Sequence, residues 1–181
     1  MVVACGPAAE EGTAEEGTEA AVPAVDEDAL ILRLSPDLVA DPQSQAGTDR
    51  NLIINYAIDE LLEVQATPSG LYYRILEVGE GAPLEWGDRL RVHYRGYFLD
   101  GREFDSSYSR DEPLEFYIGN MIAGWNEGLQ LLRPGGKALL LIPSELAYGS
   151  EGLQDSKGKY LVPPDKVLAF EIEVLERVGE E

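Results

Sequence analysis

Hydrophobic and polar positions alternate cleanly from Arg89 to Leu99. Leu90, Val92, Tyr94, Gly96 and Phe98 fall on one face, and Arg89, Arg91, His93, Arg95 and Tyr97 on the other. That period predicts a strand with one face in a core. Asp100-Gly101 follows, a strong hairpin signal. Leu71–Glu77, Leu114–Ile118, Lys137–Ile142 and Lys166–Val178 read as further strands. In the last, Leu168, Phe170, Ile172 and Val174 oppose Ala169, Glu171, Glu173 and Leu175.

Two stretches have helical spacing. In the first half, Leu52, Ile53, Tyr56, Ile58, Leu61 and Leu62 recur at three- and four-residue steps, predicting a helix over about residues 49–63, with Thr48 or Asp49 as its cap. In the second, Trp125, Leu129 and Leu132 share a face of a short helix over Ala123–Leu132, which Pro134-Gly135-Gly136 stops. Mostly antiparallel strands with one short helix predict an α+β domain over residues 70–178, a curved antiparallel sheet wrapped over that helix. An N-terminal extension, residues 29–69, carries the other helix. Its Leu30–Leu38 stretch contains Pro36 and reads as a short element at most. No internal repeat is visible.

Charge changes the picture at the N-terminus. The formal net charge is −20, which argues against nucleic acid and anionic membrane surfaces as partners. Eight acidic residues precede the first basic one, Arg33, so residues 1–28 read as a disordered acidic tether. At its start, Val2-Val3-Ala4-Cys5 looks like the end of a bacterial lipoprotein signal, with Cys5 the lipidated residue and the basic and apolar parts of the signal expected upstream. A lipidated Cys5 places the domain in the bacterial cell envelope, on the periplasmic face or membrane-anchored; an incidental Cys5 leaves a cytoplasmic location. With one cysteine, no intrachain disulfide forms.

Polar chemistry is scarce. Pro134-Gly-Gly-Lys137 lacks the glycine spacing and the Ser or Thr of a phosphate loop. His93 is the only histidine, with no nearby partner for a metal site or a Ser-His triad. No metal and no cofactor is expected. What remains is aromatic: Tyr94, Phe98, Phe104, Phe116, Trp125, Tyr148 and Phe170, each of which could equally be plain core.

The order of the motifs is more informative than any one of them. Val92-His-Tyr-Arg-Gly96, Asp100-Gly101, Phe104-Asp-Ser-Ser107, Gly119-Asn-Met-Ile-Ala-Gly-Trp125, Gly128, Gly135-Gly136, Ile142-Pro143, Leu146-Ala-Tyr-Gly149 and Val162-Pro-Pro164 occur in one register. Together they resemble the FKBP-type peptidyl-prolyl cis-trans isomerases, the immunophilin family that binds tacrolimus. The segment before residue 70 resembles the lead-in of bacterial secreted or lipid-anchored members, in which such an extension helps to dimerise or hold substrate; a homodimer through the N-terminal helix is the expectation.

This resemblance implies an enzyme that rotates Xaa-Pro bonds in proline-containing polypeptides and assists folding, or, with turnover lost, a proline-binding chaperone module. It implies a catalytic slot of Tyr94, Phe104, Asp105, Ile122, Trp125, Tyr148 and Phe170. Trp125 would be the floor, and Tyr94, Phe104 and Phe170 the walls. The Ile122 N–H and Tyr148 hydroxyl would hold carbonyls, with Asp105 orienting at the rim. Phe116, Met121, Leu114, Leu161 and Val162 would contact substrate. Leu114 stands where some members have an aromatic wall residue, which implies weaker binding of macrolides such as tacrolimus. The segment Ser150–Leu161 is longer than in small single-domain members and borders the slot in the family.

Overall fold

The computed structural model describes residues 25–179. Cys5 and the expected tether up to residue 24 lie outside them. The elements run α1 (Glu27–Leu34), α2 (Gln45–Asp59), β1 (Gln65–Ala66), β2 (Tyr72–Glu77), β3 (Arg89–Phe98), β4 (Glu103–Ser106), β5 (Leu114–Tyr117), α3 (Ala123–Leu129), β6 (Lys137–Ile142), β7 (Leu153–Gln154), β8 (Tyr160–Val162) and β9 (Leu168–Arg177). The main sheet has the order β1-β2-β6-β9-β3-β4, with β5 also on β3, and every pairing is antiparallel. Both β4 and β5 pair with β3, at its C-terminal and N-terminal halves respectively. The segment between them carries the 3-10 turn Tyr108–Arg110.

Alternation works in β3 as expected. Leu90, Val92, Tyr94 and Phe98 point inward to a core they share with Trp125 and Leu129 of α3 and with Leu140, Ile142, Phe170 and Ile172. The turn at Asp100-Gly101 closes the hairpin through Gly101 N–H to the Phe98 carbonyl at 2.8 Å, with Gly101 at φ +83°. Helix α3 lies close on the sheet because two of its residues lack side chains. A methyl group at Gly124 would sit 2.5 Å from Ile142 Cγ2, and one at Gly128 2.5 Å from Leu140 Cδ1.

The outer face departs from the sequence reading. Tyr97 and Ala169, assigned to the polar face, are buried. They join Leu139 and Leu141 of β6 beneath Leu30 and Leu34 of α1 and Ile53, Ile54 and Ala57 of α2. The apolar run of β6 therefore serves two cores at once. The helices that cover this face end at Asp59, 38 residues before Tyr97 and further still from Leu139, Leu141 and Ala169, so local periodicity carries no sign of them.

The N-terminal helices also differ in extent. Helix α1 begins at Glu27, inside the span expected to be disordered, and Asp26 caps it by accepting from Ala29 N–H. Helix α2 begins at Gln45, four residues before the expected start, and its cap is Ser44, which accepts from Gly47 N–H. Asp49 caps nothing; it is fully buried. The buried stripe of α2 is Asp49, Ile53, Ile54 and Ala57, whereas Leu52 and Leu61 are exposed. The segment Ser150–Leu161, expected as loop, contains part of a small hairpin, β7 with β8.

Gly124→Ala should destabilise the protein by about 1–3 kcal/mol in urea unfolding. Alanine is the better helix former by ~1 kcal/mol, so the sign is diagnostic: β-branched Ile142 cannot swing clear of the added methyl.

Candidate active site

Ten residues from β3, β4, β5, the turn into α3, α3, the loop after β6 and β9 converge on one slot of about 240 Å³: Tyr94, Phe104, Asp105, Leu114, Asn120, Met121, Ile122, Trp125, Tyr148 and Phe170. It is smaller than sites that enclose drug-sized ligands, roughly 300–1,000 Å³. Strand β3 supplies Tyr94, β4 supplies Phe104 and Asp105, β9 supplies Phe170, and the start of α3 supplies Trp125. A hollow of similar size, about 260 Å³, lies between α2 and Pro143–Leu146. Its lining is mixed, with Asp37, Arg50 and Glu145, and Tyr72 is its only aromatic side chain. Chemistry, not size, singles out the first.

The aromatic rings fix one another. Trp125 is T-shaped against Tyr94 and against Phe170, each at 5.2 Å between ring centres, and Phe104 stands edge-on to Phe170 at 5.5 Å. Such edge-to-face pairs are worth about 0.5–1.5 kcal/mol beyond area burial. Gly96 makes the Phe104–Phe170 wall fit. A methyl group there would lie 2.6 Å from Phe170 Cε1 and 2.8 Å from Phe104 Cζ.

At the rim, Asp105 is held from two sides. The Tyr94 hydroxyl donates to Asp105 Oδ2 at 2.5 Å, and Arg110 binds Asp105 Oδ1. Arg110 also donates to the Tyr94 oxygen at 2.7 Å. Burial, and then the bond to Asp105, pushes the Tyr94 hydroxyl from its ordinary 10.0 up to about 12. The bonds to Asp105 and Tyr94 hold Arg110 more firmly protonated than usual. Tyr148 is raised too, by burial and then by the negative charge of Asp105. Both tyrosines therefore keep their protons through the neutral range.

Two lining groups remain free to donate. Among the described residues, neither the Ile122 N–H nor the Tyr148 hydroxyl has a hydrogen-bond partner. The buried Trp125 Nε1–H is likewise unpartnered. A buried donor such as the Trp125 Nε1–H is costly to leave unmet.

Of the residues expected in the slot, Tyr94, Phe104, Asp105, Leu114, Met121, Ile122, Trp125, Tyr148 and Phe170 are brought together there. Three are placed elsewhere. Phe116 packs against Trp125 at 5.5 Å between ring centres and is buried in the inner core. Val162 is also inner core, while its neighbour Leu161 is 46% exposed. Two functional neighbours escaped the sequence reading. Asn120 is a polar loop residue with no pattern of its own, and Arg110 is a lone cation until the 3-10 turn Tyr108–Arg110 swings it onto Asp105. No cluster of metal-ligating side chains occurs among the described residues.

Residues 81–175 match the family model of the FKBP-type peptidyl-prolyl cis-trans isomerases. The chain is 42% identical over 113 residues to FkpA of Escherichia coli, an FKBP-type peptidyl-prolyl cis-trans isomerase, covering 62% of this chain and 40% of that protein. It is 48% identical over 113 residues to the FKBP-type 22 kDa isomerase of the same organism, covering 62% and 52%. The chain thus spans about half the length, or less, of these relatives. The crystal structure of E. coli FkpA superposes with a TM-score of 0.61 at 35% identity, covering 80% of this chain and 62% of that one. A peptidyl-prolyl cis-trans isomerase from Pseudomonas syringae does so at 0.61 and 30%, covering 76% and 96%.

Alkaline titration tests the rim. An unfolded tyrosine loses its proton near pH 10, whereas Tyr94 keeps it to about 12. Across that window the native state binds the extra proton, so stability falls as pH rises. Urea unfolding at pH 9 and pH 11 should show a smaller drop for Tyr94→Phe than for the unmodified protein.

Proposed function

Because this chain belongs to the FKBP-type peptidyl-prolyl cis-trans isomerase family, we propose that it accelerates rotation about Xaa-Pro bonds in polypeptides and so assists their folding. The observation that carries this is the slot itself: Trp125 ringed by Tyr94, Phe104 and Phe170, with two unpaired donors, Ile122 N–H and Tyr148 O–H, on its lining.

The physics of the reaction matches such a site. Amide resonance sets a rotation barrier of roughly 18–20 kcal/mol. Before proline the two isomers are close in energy, yet they exchange over tens to hundreds of seconds. Halfway through, the bond is twisted, resonance is lost and charge separation falls. A dry aromatic slot tolerates that state better than it tolerates the planar amide. Only such a difference raises the rate. No proton moves and no covalent bond forms. In this reading the proline ring rests on Trp125, Phe104 and Phe170 exclude water from one side, and Tyr94 and Asp105 brace the rim. Ile122 N–H and Tyr148 O–H hold the flanking carbonyls.

In this reading macrolides of the tacrolimus class would put only part of themselves into the slot, which is too small to enclose a drug-sized ligand. With Leu114 as one wall, they lose aromatic contact on that side, which weakens drug binding more than turnover. As for location, the Val2-Val3-Ala4-Cys5 signature and the acidic stretch behind it support a lipid-anchored protein of the bacterial cell envelope. The anchor would be the Cys5 thiol, with no membrane-spanning helix needed. Helix α2 buries most of its apolar face in its own sheet and leaves Leu52 outside, as it does Leu61 just past its end, so a homodimer through this helix would rest on those two side chains.

Phe104→Ala should lower the catalysed cis-to-trans rate of an Xaa-Pro peptide by about tenfold or more, equivalent to ~1.4 kcal/mol, with the fold intact by circular dichroism. An unchanged rate would remove the slot from the mechanism. A folded wild type that suppresses aggregation of an unfolded client without accelerating the peptide would instead be a binding module. For the anchor, intact-mass measurement of protein expressed with its natural upstream sequence should show a diacylglyceryl adduct on a peptide beginning at Cys5; an unmodified Cys5 in the soluble fraction would dismiss it.

A further inference from the structure

One buried acidic residue lies outside the slot and outside the segment matched by the family model. Asp49 of α2 is fully buried. Its Oδ2 accepts from the Ser144 N–H at 2.7 Å and from the Ser144 Oγ–H at 2.6 Å, and its Oδ1 accepts from Gln45 Nε2 at 2.7 Å. Among the described residues no cation pairs with it. Burying a carboxylate among neutral donors alone is a poor route to stability. Its placement therefore calls for an account of what those hydrogen bonds hold.

They hold the base of one loop. Ser144 opens a 3-10 turn, Ser144–Leu146, and its carbonyl accepts from both Ala147 N–H at 3.0 Å and Gly149 N–H at 2.8 Å. Between those donors the chain passes through Ala147 at φ −114°, ψ −111°, a sparsely populated conformation. Tyr148 comes next, and its side chain enters the slot lining. Gly149 O then accepts from Asp165 N–H at 2.9 Å. The loop that aims Tyr148 is thus closed on Ser144 at both ends. Ser144 in turn is fixed through its N–H and its hydroxyl, both to a residue 95 positions earlier in the chain.

We propose that Asp49 is a positioning residue for the isomerase site: from the N-terminal extension, it clamps Ser144 and so sets the Tyr148 hydroxyl against the substrate carbonyl. This rests on the isomerase reading above. It makes the extension part of the active-site scaffold, acting on the reaction without touching substrate.

The test is a double-mutant cycle on kcat/KM for an Xaa-Pro peptide, using the full chain. Tyr148→Phe removes the hydroxyl, and Asp49→Ala releases the clamp. Each should lower kcat/KM by about fivefold, the worth of roughly one hydrogen bond. The double variant should be no slower than Tyr148→Phe alone, because both act through one group. Asp49→Asn retains an oxygen for the two Ser144 donors and should recover most of the rate. Leu34→Ala, which opens the same extension's core, should lower Tm without changing kcat/KM. Multiplying losses in the double variant, or an Asp49→Ala protein with full activity, would overturn the proposal and leave the isomerase intact. If Asp49→Ala does not fold, Ser144→Ala takes its place in the cycle with the same expectations. A wild type that fails to accelerate the peptide would bring down the isomerase reading first and this one with it.

Discussion

The depth of the slot depends on how closely α3 lies on the sheet. Gly124 and Gly128, four residues apart on one face of α3, let the helix backbone press against Ile142 and Leu140. Trp125, between them in sequence, is then low enough to act as a floor, with Tyr94 and Phe170 standing edge-on to its ring. A second close approach, at Gly96, brings Phe104 and Phe170 together. Absent side chains in both places thus decide where the large ones stand. Packing at near-crystalline density leaves little freedom elsewhere, so the slot is a consequence of the core and not an addition to it.

Polar contacts complete what packing begins. Tyr94, Asp105 and Arg110 form a closed group at the rim, in which each side chain bonds to the other two. The group joins β3, β4 and the turn that leads to β5. A carboxylate at that point is fixed in direction, and the adjacent hydroxyls stay protonated at working pH. Among the described residues, the Ile122 N–H and the Tyr148 hydroxyl of the lining have no protein partner.

How much of this was legible depended on the range of the interaction. Strand β3, its hairpin and the inner core follow from alternation alone, because neighbours two residues apart share an environment. The slot followed from ordered motifs, which is why nine of its ten lining residues were expected and Asn120, with no pattern of its own, was not. What stayed hidden was non-local. Tyr97 and Ala169 look like surface until α1 and α2 cover them. Asp49 resembles a helix cap, yet its carboxylate is spent 95 residues away, on Ser144. Arg110 gains its role only from a 3-10 turn too short to announce itself. Phe116, Leu161 and Val162 do not line the slot, because a motif identifies neighbourhoods and says nothing of which way each side chain faces.

Strand β9, the last of the described strands, lies in the middle of the sheet, between β6 and β3. It carries Phe170 on one side and Ala169 on the other, and so contributes to both cores. Neither face can close before it arrives. A growing chain therefore exposes apolar β3 and β6 edges, and the α1–α2 pair has no completed surface to cover, until synthesis reaches residues 168–177. Non-local pairing of this kind is slow and open to aggregation. A protein whose proposed task is to help other chains through a slow folding step thus has a sheet whose two faces both wait for the pairing of residues 168–177.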